Sequence, residues 1–382
     1  MRGGVDPSVC SNTQGLDITL NNRTRVPELD LLRFLAACAV MLFHYTFRAR
    51  LDHAWSGSFP VLGQISKYGY LGVHLFFILS GFVILLTAYE KDALRFCFAR
   101  MVRLYPAYWI CVTLTTLVIL TSKSHPITPS QYLANLTMLH SFFSIRDISG
   151  VYWTLAVELK FYFLIFLVLL LRQASRIHYL LGAWLLASLV LSLQAPHGIA
   201  RFLLFPEWSS YFIAGAMFFL IQREGLSLYK LAIILGCYGL SVAYATNLLP
   251  GSVNHGSFNV SAPVLVIAIA AFYLIFFVLV LRPAPRRRSN SFYLLGLLTY
   301  PLYLLHQDIG YALLHSAPSG MNRFLLLGLA TGTAVGLSWL ILAPERWIAL
   351  RLKALLGRLQ PAGPCASLSS PALSRSGTSL EG

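Results

Sequence analysis

Negative charge is scarce in this chain: 14 Asp and Glu in 382 residues against 29 Lys and Arg, with 11% of residues charged in all. Soluble domains average about 25% charged residues, so a water-exposed globular surface of this size is excluded. Cysteine is thin and scattered. Cys10, Cys38, Cys97, Cys111, Cys237 and Cys365 form no C-x-x-C pair, which leaves no zinc or dithiol motif, and most lie in or beside apolar stretches where a small side chain packs. A Walker A lysine, a G-x-G-x-x-G turn and a G-x-S-x-G elbow are all missing. P-loop, dinucleotide-binding and serine-hydrolase chemistry therefore have no sequence support. Residues 1–28 are polar and lack the apolar core of a signal peptide, so the first apolar span is expected to act as an uncleaved anchor.

What the chain has instead is apolar length. Hydrophobic residues make up 57% of it, in repeated runs long enough to cross a hydrocarbon layer of about 30 Å. Ten such runs are read at 31–49, 69–89, 103–122, 153–172, 177–194, 204–222, 229–249, 260–281, 292–315 and 323–345. The expected fold class is all-α, a polytopic integral membrane protein of about ten transmembrane helices. A polar segment at 1–28 precedes a transmembrane domain at 29–354, and a tail at 355–382, rich in Pro, Ser, Gly and Ala, is expected to be disordered. In the last run Gly328, Gly332 and Gly336 recur at every fourth position, a spacing expected to admit a close helix neighbour.

Lysine and arginine divide unevenly between alternate loops. The loops after the second, fourth, sixth and eighth runs, with the C-terminal end, carry Lys91, Arg95, Arg172, Arg176, Arg223, Arg282, Arg286, Arg287, Arg288, Arg346 and Arg351, whereas the opposite loops carry few. By the positive-inside rule both termini are expected in the cytoplasm. The net charge of +15 is then mostly topology, and nucleic acid binding is not expected.

Ionisable residues inside a bilayer usually mark a functional pathway. The run RFLAACAVMLFH sets Arg33 and His44 on one helix face, three turns and roughly 16 Å apart along the axis. With alternating spans, His44, His74, Glu158 and His306 all fall in the outer halves of their helices. They are expected to converge on a polar cavity, with Tyr162 beside Glu158. Arg100 and Arg103 in ARMVRLYPAYW fall one turn apart at the start of the third span, near the level of Arg33. Three guanidinium groups there have the fork geometry to clamp phosphates.

Each reading has a plainer rival. His44 also reads as part of a structural hydrogen-bond network, Glu158 as a carboxylate holding the bundle together, and Arg100 and Arg103 as ordinary membrane anchors. His74 and His306 also read as packing histidines. In the stretch 122–152, Tyr132, His140, Phe142, Phe143, Arg146 and Asp147 suit either sugar stacking or an interfacial helix. No metal site is read.

The segments ELDLLRFLAACAVMLFH, GYLGVHLFFILSGFVI, FARMVRLYPAYW, YWTLAVELKFY, YFIAGAMFF and LGLLTYPLYLLH occur in an order that resembles the acyltransferase-3 family of polytopic membrane acyltransferases. That family includes bacterial O-acetyltransferases of surface polysaccharides, lipopolysaccharide O-antigens and Nod factors. Any one segment is weak, but the ordered set is specific and runs through most of the chain. The resemblance implies that Arg33 and His44 match the family's arginine, ten residues, histidine motif. It likewise implies that Arg100 and Arg103 match its R-x-x-R, and Glu158 the acid of its W-x-L-x-x-E-x-x-F-Y pattern. Family members often carry a second acid directly after that glutamate. Here Leu159 and Lys160 follow, which speaks against paired carboxylates, and Lys160 is expected on another face, against a headgroup or a local polar partner. The extra SGNH-type domain of some relatives is not expected after the tenth span.

The activity implied is transfer of an acyl group, acetyl from acetyl-CoA or another short acyl from its CoA ester, to a sugar hydroxyl of an exopolysaccharide, O-antigen or other envelope glycan at a bacterial inner membrane. His44 is expected as base or acyl carrier and Glu158 as its orienting partner, with Arg33, Arg100 and Arg103 holding the CoA phosphates. Acyl-CoA would be a co-substrate, and no tightly bound cofactor is expected. Expected partners are a glycan or lipid-linked sugar, membrane lipids and glycan-assembly proteins. For a succinyl donor, Lys160 or Arg201 are the cations read as available for the extra carboxylate. The rival classes are a secondary transporter, since intramembrane His, Glu and Arg also serve ion pathways, and a non-catalytic scaffold. Against the transporter, the key motifs sit in the first four spans without an internal echo.

Overall fold

The structure is a computed structural model and describes residues 26–89, 91–194, 198–249, 258–282, 292–318 and 320–359. Cys10, Cys365, Arg286, Arg287, Arg288, the segment before residue 26 and the tail from residue 360 lie outside the described residues. Among the described residues every regular element is helical and none is a strand. Helix α1 (Pro27–Phe43) opens with proline at a position where its missing N–H is harmless, and Glu28 and Asp30 complement the positive end of the helix dipole. A π-helical turn, His44–Arg48, and a last α-turn, Ala49–Leu51, extend it. A short α2 (Pro60–Ser66) leads into α3 (Gly72–Ala88). Asp92 caps α4 (Ala93–Ser122) by accepting from the Arg95 amide at 2.8 Å.

Thr128 caps α5 (Pro129–Leu136) in the same way, and α6 (Trp153–Leu170), α7 (Ile177–Ser192) and the six-residue α8 (Ile199–Leu204) follow. Next come α9 (Pro206–Glu224), α10 (Leu228–Ala245) with Ser227 as its cap, α11 (Ala262–Leu281), α12 (Tyr293–His315) and α13 (Arg323–Leu359). Nine helical segments among the described residues are long and apolar enough to cross a membrane, so the chain is a multi-pass membrane protein. The remaining expected span, the ninth at 292–315, is α12, with 23 residues, about 35 Å of helix. Polar residues from Tyr300 to Asp308 interrupt its apolar run. It is shielded by packing against α1, α4 and α13.

Two spans differ from their sequence reading. α4 begins at Ala93, so Arg100 and Arg103 lie inside the helix, in its second and third turns. α13 continues to Leu359, past the expected domain end at 354.

Close approaches set the register of the bundle. Gly81 lies on the carbonyl of Phe212 and Gly215 on that of Ile78, where any side chain would separate the helices. The ring contacts His74 to Trp208, Phe77 to Phe212 and Phe82 to Phe219 ascend α3 and α9 together, so these two helices run parallel. Gly69 and Gly72 face the carbonyls of Ala39 and Ala36, which makes α1 and α3 antiparallel. Gly296 meets Asp30 and Gly310 meets the Tyr45 ring, which makes α1 and α12 parallel. The glycine stripe of α13 does none of this. A Cβ at Gly328, Gly332 or Gly336 would meet nothing within 4 Å, because α13 packs through Leu326, Ala330 and Ala334 on its opposite side.

Candidate functional site

At one end of the bundle the structure gathers the arginines. Arg33 lies 3.9 Å from Asp30 on α1, and Arg103 lies 3.7 Å from Glu345 on α13. Glu158 of α6 accepts hydrogen bonds at 2.7 Å from Ser80 of α3 and at 2.7 Å from Tyr162 one turn along its own helix. Arg33 shares its electrostatic surroundings with Arg103, Asp30, Glu158 and Tyr162, and Tyr162 shares its own with Arg100. The Nε of Arg100 and the hydroxyl of Tyr300, itself among the neighbours of Glu158 and Tyr162, are buried without a hydrogen-bond partner. Buried donors left unmet are rare and mark a place for a ligand. The cluster can therefore receive an anion, with hydroxyl donors beside it.

About three turns along α1 lies a second polar centre. Half-buried His44 opens the π-turn, a widened turn of a kind found mostly at functional sites. Its Nδ1 is 2.9 Å from the carbonyl of Val40 and 3.1 Å from Nε2 of fully buried His306. Tyr45 donates to the His306 carbonyl at 2.7 Å, its ring fitting where Gly310 has no side chain. Tyr311, whose ring lies 6.3 Å from that of His44, donates to Asp52 at 2.9 Å, and Asp52 pairs with Arg48 at 2.8 Å. Ser149 donates to Asp308, two residues beyond His306. Histidine, carboxylate and tyrosine together suit proton transfer. Among the described residues no group of three or more His, Cys, Asp or Glu is arranged to hold a metal ion.

The four ionisable groups expected at one depth do not share it. Only His306 reaches His44. Thr154 of α6 meets Tyr303 of α12 at 2.9 Å, and Glu158, one turn further from there, neighbours Tyr300. Glu158 thus lies at the depth of Arg33, roughly 16 Å from His44 along α1, and Ser80 and Tyr162 are its partners in place of His44. The depth count assumed that α6 starts at the membrane edge. Instead Ile148, Ser149, Val151 and Tyr152, all 3% exposed or less, carry the chain into the bundle before the helix begins.

His74 of α3 stands among the rings of Tyr70, Trp208 and Tyr211, at 5.0 to 5.7 Å. Lys160 places its ammonium 3.8 Å from the centre of the Phe202 ring. Arg201 is buried and bound to Glu207 at 2.7 Å, to the Leu191 carbonyl at 2.7 Å and to Tyr244 at 3.3 Å. Its charge is engaged, which removes it as the cation for a succinyl carboxylate. In the 122–152 segment, Tyr132 bonds Thr113, His140 bonds Asp147 at 2.6 Å and Phe142 packs on Phe202, while Phe143 is exposed.

Ser80, Tyr300, Tyr45 and Asp308 were not singled out from the sequence. Asp308 carried a readable signal, an acid within an apolar span. The other three have no distinctive spacing and become visible only when helices are paired.

Comparison with known proteins adds an independent line. Residues 26–343 match a family model described as an acyltransferase domain, acyltransferase-3. ORF330 of Acidianus two-tailed virus, provisionally named an acetyltransferase, is 24% identical over 78% of this chain and 88% of its own. Nodulation protein 10 of Rhizobium leguminosarum is 29% identical over 42% of this chain and 51% of its own. The peptidoglycan O-acetyltransferase OatA of Listeria monocytogenes is 28% identical over 38% of this chain. The chain spans about half of the nodulation protein and about a quarter of OatA. No solved structure matches it.

Proposed function

The chain belongs to the acyltransferase-3 family, and from that premise we propose that it moves an acetyl group from acetyl-CoA to a sugar hydroxyl of an envelope glycan at a bacterial inner membrane. One observation carries this reading. Arg33, Arg100 and Arg103, with an unmet Arg100 donor, sit at one end of a helix bundle whose other polar centre is built on His44. A donor that is anionic at one end and reactive at the other fits that separation. Charge-assisted forks hold its phosphates, and an extended thioester arm runs beside α12 past Tyr300 toward His306. Positive-inside bias assigns the arginine end to the cytoplasm, where acyl-CoA is made, and the histidine end to the outer side, where glycans are assembled.

Esterification needs a base because a neutral hydroxyl is a poor nucleophile. Histidine, with an unperturbed pKa near ~6.5, suits the task. The imidazole of His44 takes the proton of the sugar hydroxyl as its oxygen bonds to the acyl carbon. The carbon–sulfur bond then breaks, and the departing sulfur takes that proton to leave as the free thiol. Glu158, far from His44, belongs to the donor end, where it balances part of the arginine charge and orders Tyr162.

The test follows radiolabel from acetyl-CoA into base-labile envelope glycan in membranes carrying the intact chain or a His44→Ala variant of equal abundance. Label that requires His44 supports the reading. Equal label in both removes His44 from the chemistry, a stable label on His44 itself replaces direct transfer with a relay, and uptake of label without ester formation favours transport.

A further inference from the structure

Two cations and one carboxylate stand where α6 meets α8. Arg201 holds Glu207 at 2.7 Å, so the charge of that carboxylate is already matched. Lys160 has Glu207 in its electrostatic surroundings but forms no ion pair with it, and among the described residues no oxygen accepts a hydrogen bond from its ammonium. What the ammonium meets is the face of the Phe202 ring, 3.8 Å away. A ring face attracts a cation but supplies no oxygen, and an ammonium carries three donors. One positive charge is therefore unmatched on a helix that crosses the membrane, where unpaired charge is costly.

Packing fixes this placement. Phe161, next to Lys160, stacks its ring on that of Trp184 at 6.1 Å, and the Trp184 indole donates to the Leu204 carbonyl at 3.1 Å, which ties α8 to α6 and α7. Phe142 packs edge-on against Phe202 at 5.6 Å. On α6 and α8, Phe163, Ile199, Phe202 and Leu203 are exposed, and apolar side chains exposed along a membrane span face lipid tails. The ammonium thus stands at a lipid-facing surface with its hydrogen-bond donors unused.

We propose that Lys160, over the Phe202 ring, binds the phosphate of a net-anionic phospholipid whose chains lie on the exposed apolar face of α6 and α8. The count of charges selects the headgroup. Lys160 and Arg201 against Glu207 leave a single positive charge, which a phosphodiester without a cation of its own balances. A zwitterionic headgroup brings no net charge, and a diphosphate brings more than one. The phosphate oxygens accept the charge-assisted bonds that Phe202 cannot. Nothing in this site requires the acyl-transfer reading.

The test purifies the full chain in a neutral detergent and titrates it with phosphatidylglycerol, phosphatidylcholine or a polyprenyl diphosphate, reading bound lipid per protein by native mass spectrometry. The intact chain is expected to hold one more phosphatidylglycerol than a Lys160→Met variant, with an affinity for that lipid roughly tenfold or more above that for phosphatidylcholine. Lys160→Arg should keep the extra lipid. Lys67→Met, which removes a cation bonded to Gln64 instead, should keep it too. Equal binding of the two phospholipids overturns the proposal, as does a folded Lys160→Met protein that holds as much phosphatidylglycerol as the intact chain; Lys160 would then simply extend its ammonium toward water. Tighter binding of the polyprenyl diphosphate, lost in Lys160→Met, overturns the assignment to a phospholipid.

Discussion

Tyr162 donates its hydroxyl to Oε1 of Glu158 at 2.7 Å from one turn further along α6. Ser80 reaches the same oxygen from α3 at 2.7 Å, so one carboxylate oxygen joins two helices beside Arg33. Replacing Glu158 with leucine strands both hydroxyls, at about 1–3 kcal/mol for each unmet buried group. Glu158→Leu is therefore expected to lower stability by about 2–6 kcal/mol, read as a lower melting temperature in detergent. Glu158→Gln keeps an acceptor oxygen and should lose less than half as much. Because Glu158 lies at the arginine end, the glutamine variant should change the KM for acyl-CoA. The pH dependence of kcat, set at His44, should stay in place.

The two arginines of the R-x-x-R motif are not equivalent. Arg100 has a buried Nε without a partner, whereas Arg103 is 43% exposed and already faces Glu345 at 3.7 Å. A charge-assisted bond to phosphate contributes about 1.5–3 kcal/mol. Arg100→Ala should raise the donor KM by roughly 10- to 150-fold, whereas Arg103→Ala should stay within a few-fold, as exposed pairs do. Donor titrations with the two purified variants test this, and equal effects would show that both side chains grip the donor alike.

The pairing of Arg33 with His44 was legible because both lie on one helix, where spacing in sequence is spacing in space. Relations between helices were not. Glu158 was expected beside His44 because each span was counted from a common edge, and the buried entry of the chain through Ser149 and Tyr152 leaves no mark in hydropathy. His306 was read at the right depth, yet its contact with His44 depends on Gly310 admitting the Tyr45 ring. A glycine's neighbour on another helix cannot be read from the glycine. The regular repeat of Gly328, Gly332 and Gly336 drew notice and faces open space, while Gly81 and Gly215, without any repeat, hold α3 against α9.

That contrast gives a paired stability test. Gly215→Ala drives a methyl group onto the Ile78 carbonyl, and backbone cannot yield as a flexible side chain does. The expected loss is about 1–3 kcal/mol from overpacking. Gly328→Ala meets nothing and removes a helix-weakening glycine, so a gain of up to about 1 kcal/mol is expected. Melting temperatures moving in opposite directions meet the expectation. A fall in the Gly328→Ala protein would mean that something in the membrane covers that face.

Arg201 and Glu207 offer a test that separates stability from donor choice. Their bond at 2.7 Å joins buried Arg201 to a partly buried Glu207, with further bonds from Arg201 to Leu191 and Tyr244. Removing one partner of a buried pair strands the other and costs about 3–5 kcal/mol, whereas replacing both with apolar residues is often nearly neutral. Arg201→Met should accordingly lose folded protein, and Arg201→Met with Glu207→Leu should recover most of it. Both proteins should keep the intact chain's preference between acetyl and succinyl donors, because a guanidinium held by Glu207 has no part in reading the acyl group. If the double variant, folded and abundant, lost transfer of succinyl alone, Arg201 would have to leave Glu207 during the reaction to meet the donor carboxylate.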